Sequence, residues 1–353
     1  SLTVITLNIH GGILDGSTDV IVDDLLEWTA GDMEGTGRTI INGQLVIPDE
    51  AILLLDGREI INNGAGTVGN GADIYAIHGA IFRNTAVGTL DILGAGTMGY
   101  CRPDYIGGTF TCGSNIGPQP AFVNVGTVTH SGSGRFSLMG THTGLGPGPG
   151  PVLFTNSGTV RINAGEMAFE PYVQTAGVTY LSGGNIISWG PVDIQGGTLS
   201  GWGTIGSSVS NAGTIEVGGV DAPGTLTITS VLLAHYPPDP PIYVPGGNYN
   251  QTATGALNIE LGGTTLGTQY DQLIASGNVT LSGTLDVRTI GGYTPAIGAG
   301  FTVMTYGSRS GSFAIVNGNG RNYTTNYGTQ ALTLTAGQAR GILPVASRRN
   351  ILP

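Results

Sequence analysis

Along most of this chain, apolar and polar residues alternate for four or five positions, and then Gly, Asn, Asp or Pro interrupts the alternation. Residues 39–41, 44–47, 51–55 and 58–61 show the pattern clearly. A period of two predicts half-buried strands, and the interruptions predict tight corners. One phrase recurs, a Gly-Thr followed by an apolar residue. An Asn precedes it at 124–128, 156–160 and 211–215, and it stands without Asn at Gly66, Gly88, Gly96, Gly197, Gly203, Gly224 and Gly283. A corner leading again and again into a short strand marks a chain that winds into stacked rungs. Gly126, Gly158, Gly177, Gly197 and Gly213 stand 32, 19, 20 and 16 residues apart by their numbers. The predicted fold is therefore all-β, a right-handed parallel β-helix (β-solenoid) with three-sided rungs of about 20 residues. With strands about 4.8 Å apart, some 15 rungs would make a rod about 70 Å long.

The pattern divides the chain into segments. Residues 1–38 are expected to form an N-terminal cap and first rungs. Within them, residues 19–28 place Ile21, Leu25 and Trp28 on one stripe, so this stretch reads as a short capping helix or equally as a strand. Residues 39–235 are the solenoid body, with inserted loops at 101–112 and 144–151. A Pro-rich insertion at 236–247 reads as an extended, protruding polyproline segment. Residues 248–336 form a C-terminal solenoid segment, and 337–353 an extended tail.

In that C-terminal segment, residues 247–263 are followed by the Tyr-Asp-Gln-Leu-Ile run at 270–274, then by 277–287, 292–295, 300–306 and 310–313. In order and spacing this stretch, over about residues 247–335, resembles the β-helix end of autotransporter-like passenger domains and other secreted bacterial surface proteins. Residues 27–38 and 55–64 are similar to solenoid segments of very large, repetitive bacterial exoproteins. Such a resemblance implies a parallel β-helix with a structural, adhesive or display role, and it carries no shared catalytic residues.

Composition narrows the partners. Of 353 residues, 63 are Gly and only 10% are charged; there is no Lys, and 12 basic residues face 23 acidic ones, for a net charge of -11. Nucleic acid is excluded as an expectation because no basic stripe exists to neutralise phosphates, and anionic membrane surfaces are disfavoured for the same reason. No run of about 18 apolar residues is present. A surface so poor in charge favours association. The start at Ser1, with no apolar leader, is read as that of a mature secreted protein.

Candidate chemistry is sparse. Cys101 and Cys112 bracket a loop and are expected to form a disulfide, which implies an oxidising, extracellular setting. Asp23 and Asp24 are an adjacent acidic pair and read as a solvated corner. His10, His78, His130, His142 and His235 are scattered, without metal-ligand spacing, and read mostly as surface residues. Asp193, Asp221, Asp271 and Asp286 stand alone in sequence, so no cofactor or metal is expected beyond an incidental calcium. The Thr-x-Thr runs at 225–229 and 333–335 suggest an ordered-water plane, but most rungs lack them, and Thr also suits a solvent-facing strand.

The tail repeats Ile-Leu-Pro and carries three Arg against an acidic body. Ile342, Leu343, Pro344, Val345, Arg348, Arg349, Ile351 and Leu352 are the candidate assembly residues, suited to strand addition on a neighbouring copy. The expected function is non-enzymatic: a subunit of an extracellular filament, sheath or surface layer, polymerising head to tail. The alternatives are a single adhesive rod that binds polysaccharide and, less favoured, a polysaccharide lyase or hydrolase.

Overall fold

The computed structural model describes residues 1–106, 109–112, 117–140, 150–234 and 242–339, with the side chains of 103–106, 109–112, 233–234 and 242 outside that description. The described residues contain strands and no helix. Their alternation of buried and part-exposed positions follows the sequence pattern: Leu45 and Ile47 point in from Gln44–Ile47, and Leu90 and Ile92 from Thr89–Ile92.

The strands fall on three faces, and on each face a strand pairs in parallel with the strand one rung before and one rung after. Face one runs from Arg38–Ile41 through Glu59–Asn62 and Ile81–Asn84 to Ser308–Gly311. Face three runs from Ile52–Asp56 through Ala72–Ile77 and Gly96–Tyr100 to Gly300–Thr305. Face two stacks Leu2–Leu14, Val20–Glu34, Gln44–Ile47, Ala65–Val68, Thr89–Ile92, Thr127–His130, Thr159–Ile162, Val178–Ser188, Thr198–Gly206, Thr214–Val217, Ala256–Leu261, Thr284–Thr289 and Ile315–Asn317. Among the described residues these make thirteen rungs, close to the expected number.

Most copies of the Gly-Thr phrase mark the start of a face-two strand, while those at Gly96, Gly203 and Gly224 lead into face three. A Cβ on Gly126 would lie 2.1 Å from the Thr85 carbonyl oxygen, and one on Gly158 2.2 Å from that of Gly126. Stacked corners approach too closely for any side chain, which is why glycine recurs there. The interior is one continuous column of Leu, Ile, Val and Phe, crossed by an aromatic stack. Phe82, Phe122, Phe154 and Tyr172 are register partners on successive rungs, with centroids 5.2, 5.4 and 5.4 Å apart.

Several expectations are corrected. Of the two readings of residues 19–28, the strand is the one found: residues 20–28 belong to Val20–Glu34, and the inward set is Val22, Leu26 and Trp28, not the helical stripe. Asp23 and Asp24 are exposed where the register shifts between faces, and this inserted corner produces the false helical period. The insertion at 101–112 contains an antiparallel hairpin, Pro103–Ile106 with Thr109–Cys112. The Pro-rich insertion does not simply protrude. Ile242–Val244 pairs antiparallel with Val231–Ala234, and Val244 is buried against Met139, Ala168 and Ile187 on the outside of face three. Residues 144–149 and 236–241 lie outside the described residues. At the far end, Ala331–Ala339 lies antiparallel on Gly300–Thr305 and is flanked by Arg321–Tyr327, so the first residues of the expected tail belong to a strand.

Candidate functional site

The most ordered chemistry in the molecule is an interior ladder of side-chain amides. Asn62, Asn84, Asn124 and Asn156 end successive strands of face one, and all are fully buried. Each amide nitrogen donates to the next side-chain oxygen up the stack: Asn62 to Asn84 at 2.9 Å, Asn84 to Asn124 at 2.9 Å, and Asn124 to Asn156 at 2.8 Å. The same nitrogens donate to the carbonyls of Thr89, Thr127 and Thr159, each at the start of face two in the next rung. Gln174 and Gln251 continue the column with bonds to Thr198 and Thr284 carbonyls. A buried amide without partners would be costly, so these side chains lock one rung to the next.

Two more buried polar groups serve the backbone. His130 takes an inward position that Val68, Ile92 and Ile162 fill on neighbouring rungs, and its ring nitrogens lie 2.8 Å from the Ala164 oxygen and 3.1 Å from the Gly94 oxygen. It is an exception to the reading of the five histidines as mostly surface or insertion residues. Arg58 is fully buried, with Nε on the Thr39 hydroxyl and its remaining N–H groups on the carbonyls of Gly16, Thr18, Glu34 and Arg38. Burial pushes its pKa down from the ordinary arginine value.

The carboxylates that are solitary in sequence are not all solitary in space. Asp271, fully buried, accepts the N–H of Gly224 at 2.8 Å and of Glu260 at 2.7 Å. Burial pushes it up to about 8. Glu260 accepts from Asp221 and Ala222 N–H groups and is also raised, chiefly by burial. Glu216 pairs with Arg288 and accepts from Asn258 Nδ2 at 2.5 Å. These acceptors fasten the corner loops at 218–224 and 262–271 onto the rungs. Asp286 accepts from Asn317 and Asn319. Among the described residues no group of three or more His, Cys, Asp or Glu is arranged to hold a metal.

Cys101 is buried beside Leu54, Tyr75, Ile77 and Tyr100, and no cysteine among the described residues is free. The backbone of its expected partner, Cys112, lies opposite Pro103 in the hairpin, and the Cys112 side chain is outside the described residues. His142, His235 and all eight tail candidates, Ile342, Leu343, Pro344, Val345, Arg348, Arg349, Ile351 and Leu352, also lie outside them.

On the outside of face two, the Thr of the recurring phrase forms an aligned column of Thr89, Thr127, Thr159, Thr198, Thr214 and Thr284, broken by Val178 and Ala256. The column runs between strands, whereas the Thr-x-Thr runs visible in the sequence lie within single strands, so it has no local sequence signal. Comparison of the sequence with protein-family models and with curated proteins finds no match.

Proposed function

We propose that the chain is a right-handed parallel β-helix that works as a secreted, non-enzymatic structural rod, polymerising head to tail into an extracellular filament, sheath or surface layer. Right-handedness follows from the general preference of parallel crossover connections. The observation that carries the structural role is the Asn62–Asn84–Asn124–Asn156 ladder. These interior polar side chains are committed to cohesion along the stacking axis.

Parallel rungs repeat by translation, so each offers the next the same row of N–H and C=O groups. Among the described residues, Ser308–Gly311 and Ile315–Asn317 pair on one edge only. A second copy would add to that end through its strand Leu2–Leu14, where Leu2, Ile5 and Ile13 are 55%, 73% and 63% exposed. The segment 340–353 would act as a strap between copies, with the Cys101–Cys112 disulfide securing the inserted hairpin in an oxidising setting. Electron microscopy of the purified chain tests this. Filaments with an axial repeat near the rod length, lost when residues 340–353 are deleted, support it; single particles at every concentration overturn it.

A second reading, a surface rod that binds polysaccharide, is favoured by one observation: Trp202 is 52% exposed on the body of the rod.

A further inference from the structure

At the corner where face two turns into face three, a shallow groove of about 490 Å³ crosses successive rungs, lined by Gly134, Arg135, Gly165, Glu166, Gly183 and Asn185. Arg135, Glu166, Asn185 and Thr204 are register partners on consecutive rungs and form a polar track parallel to the stacking axis. Arg135 Nη2 lies 2.8 Å from Glu166 Oε2, and both side chains are about a third exposed, so the track carries no net charge. The floor is built from Gly134, Gly165 and Gly183, with φ of 102°, 60° and 89°. At the Gly183 end sits Trp202. A Cβ on Gly183 would fall 2.6 Å from Trp202 Cη2 and 2.8 Å from Cζ3, so the indole is seated directly against glycine backbone. It nonetheless keeps half its surface open to solvent.

Arg135–Ser137, Glu166–Phe169, Val178–Ser188 and Thr198–Gly206 are each paired on both edges, so a peptide has no free backbone to add to here. Recognition must come from side chains: one broad aromatic surface beside a carboxylate, a guanidinium and an amide. A pyranose ring has the matching chemistry, with an apolar C–H face for the indole and hydroxyl edges for the polar groups. The neutral Arg135–Glu166 pair, in a chain of net charge -11, offers nothing to an anionic sugar.

We infer that this corner is a binding subsite for a neutral polysaccharide lying along the rod, with Trp202 stacked on a sugar ring and Arg135, Glu166 and Asn185 bonding its hydroxyls. The inference deepens the second reading above and stands whether or not the rods polymerise.

The test uses the full chain with neutral hexasaccharides of glucose, mannose, galactose and N-acetylglucosamine, and with hexagalacturonate as the anionic control. Calorimetry is read together with tryptophan emission, which is informative because the chain has three Trp and Trp28 is fully buried. At least one neutral sugar should bind with a shift in emission, while hexagalacturonate does not. Trp202→Ala should weaken binding about tenfold or more, and Trp202→Phe, which keeps a ring, should retain part of it. Absence of binding by every neutral sugar up to about 10 mM overturns the inference. So does affinity unchanged in both Trp202 variants, or tighter binding of the anionic control. Microscopy of the same preparations reports polymerisation separately.

Discussion

The side-chain amide of Asn124 donates to Asn156 Oδ1 at 2.8 Å, joining two rungs through the interior of the stack. The same nitrogen donates to the Thr159 carbonyl, and Asn124 Oδ1 accepts from Asn84. Replacing Asn124 with Ala takes one acceptor from the Asn84 amide and one donor each from Asn156 Oδ1 and the Thr159 carbonyl, breaking the ladder inside the stack at a cost of about 2 kcal/mol. Asn124→Asp should be worse at neutral pH, because a carboxylate would face the two acceptors Asn156 Oδ1 and Thr159 O with no donor. Urea unfolding midpoints of the two variants at pH 7 check both the loss and the order.

Corner glycines separate into those that need to be glycine and those that do not. A Cβ at Gly158 would sit 2.2 Å from the Gly126 oxygen and 2.3 Å from the Val125 oxygen, both backbone atoms that cannot move aside without shifting the rung below. At Gly300 the nearest atom is Thr333 Cγ2 at 3.8 Å. Gly158→Ala should therefore cost about 2 kcal/mol or more, while Gly300→Ala stays within about 0.5 kcal/mol of the parent. Thermal unfolding of the pair measures the contrast.

These two positions also show what was legible in the sequence. The recurrence of Gly-Thr marked the corners, and period-two alternation marked the strands, because both are local consequences of backbone geometry. The Asn before the Gly reads locally as a turn residue, yet it is buried. Only the register, which sets Asn62 over Ile41 and Asn211 over Ile194, shows it standing in an interior position. His130 was hidden in the same way, since it replaces an aliphatic residue of sister rungs. Asp271 and Glu260 come together through loops whose path no local pattern specifies. The seat of Trp202 on Gly183 depends on two neighbouring rungs and a positive φ, neither of which the sequence displays. Conversely, the helical stripe at 19–28 arose from a corner inside a strand, which shifts a period of two into an apparent period of three to four.

Arg58 organises the first rungs without any carboxylate contact. Its side chain bonds Thr39 Oγ1 and four carbonyls spread over residues 16–38. Arg58→Met keeps the bulk and removes every donor; the Gly16 carbonyl keeps the Gly37 N–H, but each of the five acceptors loses a partner, at a cost of about 3 kcal/mol. In a stack whose rungs contact only their neighbours, that loss should stay local. Hydrogen exchange should accelerate across residues 16–62, while the strands beyond Thr127 keep their protection. Arg58→Lys retains the charge but lacks the planar set of donors, so it should rescue little of the loss. Uniform acceleration along the whole chain would contradict this account.

The pH dependence of stability follows from carboxylates shifted in opposite directions, most of them, with Asp32, Glu34 and Asp73 among them, raised by burial. Burial pushes Asp271 up to about 8, so between about pH 4 and 8 the folded chain holds a proton that the unfolded chain has released. Stability should therefore fall as pH rises through that window and level off above it. Glu260, raised in the same direction, adds to the slope. Asp19 behaves oppositely: hydrogen bonds from Arg38 hold it down at about 2, so its contribution is present above about pH 4 and is lost as the pH drops toward 2. The maximum should then lie near pH 4–5, acidic of neutrality. Asp271→Asn removes the largest source of the alkaline-side decline, and its unfolding midpoint should change less between pH 5 and pH 8 than that of the parent. Arg38→Ala should leave that window unchanged and flatten only the acid limb. Urea titrations of the three chains at intervals from pH 3 to pH 9 separate these contributions, and a parent more stable at pH 8 than at pH 5 would contradict the assignment to Asp271.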